Sequence, residues 1–200
     1  MKPVKKAVLC FVSLTFCIIG INRLSENAVY AGAAGPVAYV TGAPGDTGTC
    51  SKVDCHNSFA VNTGTAKFKI TSPPYIPGQY VTVKVSFAYP TDVSPAKKHG
   101  FEMTAVDASG KRVGSFQNIS LYTQIIPPED YRGLKLIHKN KYVEQTYTGI
   151  SKKTWYVKYK APSTATGPIT FYASGVGADG NQNEKKDYTY KTKRMITKAP

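Results

Sequence analysis

Acidic side chains are scarce in this chain: 12 Asp and Glu stand against 26 Lys and Arg, a formal charge of +14 over 200 residues. That scarcity leaves little to bind hard cations. Asp179, Glu184 and Asp187, with Gly180, Asn181 and Asn183 between them, do not match the spacing of an EF-hand and read as a polar hairpin loop. There is no Gly-x-Ser-x-Gly elbow, no HExxH helix and no paired-carboxylate setting, so no enzyme class is expected. No stretch has the length and 3.6-residue period of a helix, and there is no internal repeat or low-complexity linker. Beyond the first 21 residues no long apolar run occurs, and the C-terminus, Lys191 to Pro200, carries no hydrophobic tail or sorting signal. Cysteine is limited to Cys10, Cys17, Cys50 and Cys55, and no second pair accompanies Cys50 and Cys55 to complete a tetrahedral zinc site.

What is present begins with a secretory signal. Lys2, Lys5 and Lys6 form a positive n-region, and Ala7 to Ile21 is an apolar run too short to cross a bilayer comfortably. Val29-Tyr30-Ala31 and Ala31-Gly32-Ala33 offer small residues for cleavage, so residues 1–31 are expected to leave as a signal peptide, taking Cys10 and Cys17 with them. The alternative is retention of the run as an anchor. Cleavage also removes Lys2, Lys5, Lys6, Arg23 and Glu26, a net +3, and leaves +11. A basic exported product suits an acidic partner or an anionic membrane or mineral face; nucleic acid is not expected, because the lysines are scattered and no recognition helix is visible. A solvated basic surface is the plainer reading.

The remaining chain, about 165 residues, is enough for one two-layer core, and its pattern is that of an all-β antiparallel sandwich. From Tyr80 to Phe87, Val81, Val83, Val85 and Phe87 alternate with Thr82, Lys84 and Ser86, which predicts a half-buried strand. Further strands are predicted at 66–70, 101–106, 113–119, 134–137, 142–148, 154–159, 169–174 and 187–192, separated by turns such as Ile76-Pro77-Gly78 and Gly167-Pro168. Residues 32–65 read as a leading segment, flexible at 32–45, and 66–200 as the sandwich, the two forming one domain.

The leading segment carries the run GDTGTCSKVDCHNS, with Cys50, Cys55 and His56. Two thiols can form thioethers with the vinyl groups of a haem, and a histidine directly after the second is placed as the proximal iron ligand. Four residues, Ser51 to Asp54, separate the cysteines where C-x-x-C-H has two. The same residues also read as a disulfide closing a short loop, with His56 on the surface. Spacing alone leaves both open.

Several motifs in order resemble one family. Gly42-Ala43-Pro44-Gly45 leads into the cysteine run. Tyr75-Ile76-Pro77-Gly78-Gln79-Tyr80, Gly100-Phe101-Glu102-Met103-Thr104-Ala105, Tyr142-Val143-Glu144-Gln145-Thr146, Trp155, Gly167-Pro168-Ile169-Thr170-Phe171-Tyr172-Ala173 and Asp187-Tyr188-Thr189-Tyr190 follow. Together they resemble the bacterial choice-of-anchor V domain, a Reeler-like, immunoglobulin-type sandwich of exported proteins. The resemblance implies a c-type haem at Cys50, Cys55 and His56. It departs at Gln145, where the family pattern Tyr-x-Glu-His-Thr has a histidine. If that histidine is the distal ligand, another residue must serve: His99 or His138, with Met103 a further candidate.

The expectation is therefore an exported single-haem c-type cytochrome of the periplasm or exterior. It would carry electrons to redox proteins or an extracellular acceptor and could form a homopolymer, with no stable membrane span after cleavage. The alternative is a disulfide-stapled adhesion or surface-binding sandwich without haem.

Overall fold

A computed structural model describes residues 32–128, 132–165 and 167–200. The signal-peptide expectation at 1–31 lies outside them. Among the described residues nine strands form: β1 (Lys67–Thr71), β2 (Tyr80–Ala88), β3 (Lys98–Val106), β4 (Ser115–Asn118), β5 (Thr123–Ile125), β6 (Tyr142–Gln145), β7 (Thr154–Lys160), β8 (Ile169–Ala178) and β9 (Tyr188–Ile196). They pair antiparallel into a four-stranded sheet, β1-β2-β7-β4, and a five-stranded sheet, β5-β6-β3-β8-β9. The two sheets face each other, and the all-β antiparallel sandwich expected from the alternation is what forms.

Alternation decides what lies between the sheets. Val83, Val85 and Phe87 of β2 and Trp155, Val157 and Tyr159 of β7 point inward from one side, and Phe101, Met103, Phe171 and Ala173 from the other; all are buried. Phe101 and Trp155 have ring centroids 4.8 Å apart, and Tyr159 meets Phe171 edge-on at 4.9 Å. Burying one such side chain contributes about 1.5–3 kcal/mol. Trp155 donates its indole N–H to the Gly149 carbonyl at 3.1 Å, so burial leaves its donor satisfied. At the Ile76-Pro77-Gly78 turn, Gly78 takes a φ of +74° and the Gln79 N–H closes on the Ile76 carbonyl at 3.0 Å, which is why proline precedes glycine there.

Two predicted strands differ. Residues 134–137 form no strand: Leu134 is buried, but Leu136 and Ile137 are exposed and turn through a short 3-10 segment, Leu136–His138. Three consecutive turn residues cannot alternate faces. The strand expected over 142–148 stops at Gln145, and a second 3-10 turn, Thr148–Ser151, takes the chain to β7.

The leading segment is not a loose lead-in. It forms no strand, yet it crosses the outer face of the five-stranded sheet as a strap held by buried side chains. Gln145 donates to the Gly32 carbonyl at 3.2 Å and Gln124 to the Ala34 carbonyl. The Tyr39 and Val40 N–H groups donate to the two oxygens of Glu102 at 3.0 and 2.8 Å. Farther along, the Cys50 N–H donates to Ser174 at 2.9 Å and the Asn62 N–H to the Thr189 carbonyl at 2.8 Å. The strap thus passes over β6, β3, β8 and β9 in turn. Because it covers them, the outward residues Glu102, Thr104, Glu144 and Ser174 are fully buried, and β3 is buried on both faces from Phe101 to Val106.

Candidate functional site

The cysteine loop sits where the strap reaches β8 and β9. Between Cys50 and His56 the backbone winds tightly: the Lys52 N–H donates to the Thr49 carbonyl, Cys55 to Lys52 and His56 to Cys50, at 2.9, 2.9 and 3.1 Å. Asp54 takes a φ of +65°, a conformation that Asp tolerates, and this turns the chain back so that His56 follows Cys55 close to the sheet. The four intervening residues form this bulge, with Lys52, Val53 and Asp54 exposed.

His56 is held from behind. Its Nδ1 lies 2.8 Å from Oδ2 of Asp187, whose side chain is fully buried, while the imidazole is 16% exposed. The other oxygen of Asp187 accepts the Asp179 N–H at 3.0 Å. A carboxylate in this position accepts only, so the Nδ1 proton is fixed and Nε2 keeps its lone pair when the ring is neutral. Carboxylates placed in this way orient histidines that ligate metals. Beside it, Phe59 and Tyr188 stack at 4.4 Å, and both, with Val53, are exposed apolar surface.

The two cysteines differ. Cys55 is half-buried, and burial raises its thiol pKa. Cys50 is 6% exposed, packed between Val40 of the strap and Val176 of β8, and burial pushes its thiol pKa up to about 12. Both are free thiols. Tested against a covalent haem, His56 and Cys55 fit: one presents a ligand-ready imidazole, the other an accessible sulfur. Cys50 fits less well, because its sulfur faces the sheet. Among the described residues no three His, Cys, Asp or Glu side chains converge as a metal cluster.

The structure does not bring the proposed sixth ligands to His56. His99 points into the sandwich from β3, 3% exposed, with Nε2 2.9 Å from the Tyr89 hydroxyl and its ring against Phe87. Met103 is fully buried in the core on the same face. The alternation that gave these two one face with Phe101 is correct, but that face is the inner one, and His56 lies on the outer. His138 stands at the opposite corner of the sheet, Nδ1 2.9 Å from the Tyr39 hydroxyl and close to Tyr142. Tyr142 aligns through Thr104 with Tyr172, whereas Tyr188, next to Asp187, aligns with Gly177. Those levels are about 17 Å apart along the strands and about 14 Å across them. Gln145 is also structural: it accepts the Phe101 N–H at 2.7 Å while holding Gly32.

Asp187, read from the sequence as part of a polar hairpin loop, is instead fully buried behind His56. It heads the Asp187-Tyr188-Thr189-Tyr190 motif, but nothing in the sequence couples it to a histidine 131 positions earlier.

Comparison with known proteins follows the architecture. The human F-spondin reeler domain has a TM-score of 0.48 at 20% identity, covering 71% of this chain and 95% of that one. The Reelin-N domain of F-spondin has the same TM-score at 19% identity, covering 72% and 95%. A cohesin module of a Clostridium perfringens family 33 glycoside hydrolase reaches 0.42 at 7%, covering 68% and 97%. No curated protein matches. The sequence profile of the Reeler domain matches residues 48–181, from the cysteine loop to the β8–β9 turn, and the chain belongs to the Reeler domain family.

Proposed function

We propose that this Reeler sandwich is an exported single-haem c-type electron carrier, with Cys50 and Cys55 as thioether donors and His56 as the axial base. The observation that supports it is the His56–Asp187 pair. A buried carboxylate holds the Nδ1 side of an imidazole that stays 16% exposed, in a segment whose neighbours Val53, Phe59 and Tyr188 are exposed apolar residues. Haem, when bound, supplies one-electron exchange at iron. Asp187 keeps the imidazole from rotating, and the Asp179 N–H keeps Asp187 in place. For its sulfur to reach a vinyl group, Cys50 would have to leave its packing against Val40 and Val176. His99, His138 and Met103 lie away from His56, so none of them would serve as a second iron ligand. Redox proteins, an extracellular acceptor or a second copy are the partners the reading implies. Delivery to the periplasm or exterior rests on residues 1–31. The reading assigns no catalytic residue.

The test is a haem stain of the exported protein on a denaturing gel, with its absorption spectrum after reduction. A stained band and a sharp reduced α-band support the reading, and a colourless protein overturns it.

A second reading is favoured by the burial of Cys50 and by membership of the Reeler family: a surface-binding sandwich in which Cys50 and Cys55 pair as a disulfide. Its signature is a colourless protein whose strap loosens on reduction.

A further inference from the structure

The outer face of the four-stranded sheet is a plane of one charge. No residue of β1, β2, β4 or β7 is acidic. Phe68, Ile70, Val83, Val85, Val157 and Tyr159 take the inward positions, so the alternate positions face away from the core. Five lysines occupy them: Lys67 and Lys69 on β1, Lys84 on β2, Lys158 and Lys160 on β7. Lys84 is half-buried and the other four are exposed. Tyr80 and Tyr156 stand among them, each 48% exposed, paired in register with Lys160 and Lys84. The Lys158 and Lys160 ammonium groups lie 5.8 and 5.6 Å from the Tyr80 ring centroid.

We propose that this face docks flat on an anionic phospholipid surface. The charges spread over three adjacent strands spaced about 4.8 Å apart, with alternate residues about 6.7 Å apart along each. A linear polyanion lying on one row would leave the others unneutralised, whereas a plane of headgroups meets all five. All five are lysines, compact hydrated charges without the guanidinium fork that selects one phosphate or carboxylate bidentately, which suits diffuse attraction to a mobile surface. Tyrosine, with an apolar ring and a polar tip, settles at headgroup depth. Docked this way, the five-stranded sheet and the loop of Cys55 and His56 face the aqueous side. The inference does not depend on haem.

The experiment is sedimentation of the mature exported protein with vesicles of phosphatidylcholine, with and without one-third phosphatidylglycerol, at low salt and at about 0.5 M salt. Binding only to the anionic vesicles, lost at high salt, is expected. The triple variant Lys69→Gln, Lys158→Gln, Lys160→Gln should weaken partitioning by about a hundredfold. A variant of equal charge, Lys111→Gln, Lys135→Gln, Lys139→Gln, should bind nearly as wild type. These exposed positions make either triple variant compatible with folding, which circular dichroism verifies. Equal binding to neutral vesicles, equal loss in both variants, or binding to a soluble acidic polysaccharide but not to vesicles would each overturn the proposal.

Discussion

Glu102 and Glu144 face each other directly across the β3–β6 ladder, both fully buried, and different parts of the chain hold each of them. Glu102 takes the backbone N–H groups of Tyr39 and Val40, and Glu144 takes Arg132 and Gln124. Two like groups opposite one another would repel in an open sheet. Here burial pushes the Glu102 carboxyl well above the usual carboxylate range, against the pull of those two N–H donors. Glu102 therefore seats the strap directly, and Glu144 braces Gln124, which donates to the strap's Ala34 carbonyl.

Glu102→Ala leaves two buried N–H groups without an acceptor and is expected to cost about 2–4 kcal/mol. Urea denaturation measures the loss, and limited proteolysis should cut first between residues 32 and 58. Glu102→Gln keeps an acceptor and should cost about half as much.

His99 gives the fold a pH dependence. Burial, with Lys153 nearby, lowers its pKa from 6.5 to about 4. The folded state therefore binds this proton more weakly than the unfolded chain does. Its contribution is complete above pH 6.5 and is lost as pH falls through that value towards about 4, reaching roughly 3 kcal/mol. The stability difference between wild type and His99→Gln, followed by urea denaturation from pH 7 to pH 4, should shrink across this window; a constant difference would place the histidine in solvent.

Gly175 lies where the two sheets approach. A Cβ there would meet Phe87 and Phe68 ring carbons at 2.8 and 2.9 Å and the Gly100 carbonyl at 2.9 Å. Gly175→Ala is expected to destabilise by about 1–3 kcal/mol through overpacking, read as a lower urea midpoint with an unchanged slope.

Asp187→Asn preserves shape but can donate as well as accept, so His56 loses its fixed tautomer. Under the haem reading the midpoint potential should rise, since an amide oxygen accepts the Nδ1 hydrogen bond more weakly than a carboxylate does. A wild-type potential in this variant would reduce Asp187 to a structural role.

These residues also show where sequence reasoning works. Val83, Val85 and Phe87 announced their strand because one side of it is core and the other is solvent. Alternation alone does not reach Glu102, Thr104, Glu144 and Ser174, which have the polar character of surface positions and are buried because a segment 60 to more than 120 residues earlier covers them. β5 is three residues long, too short for any period to register. Cys50, Cys55 and His56 were legible as a group, but the depth of Cys50 and the carboxylate behind His56 are set by tertiary contacts with β8 and with the turn before β9.

If Cys50, Cys55 and His56 hold a haem, the intact mass of the mature exported protein, measured before and after reduction of disulfides, is higher by one haem and does not change on reduction. A mass two hydrogens below that of the free-thiol chain, restored by reduction, would contradict the haem reading.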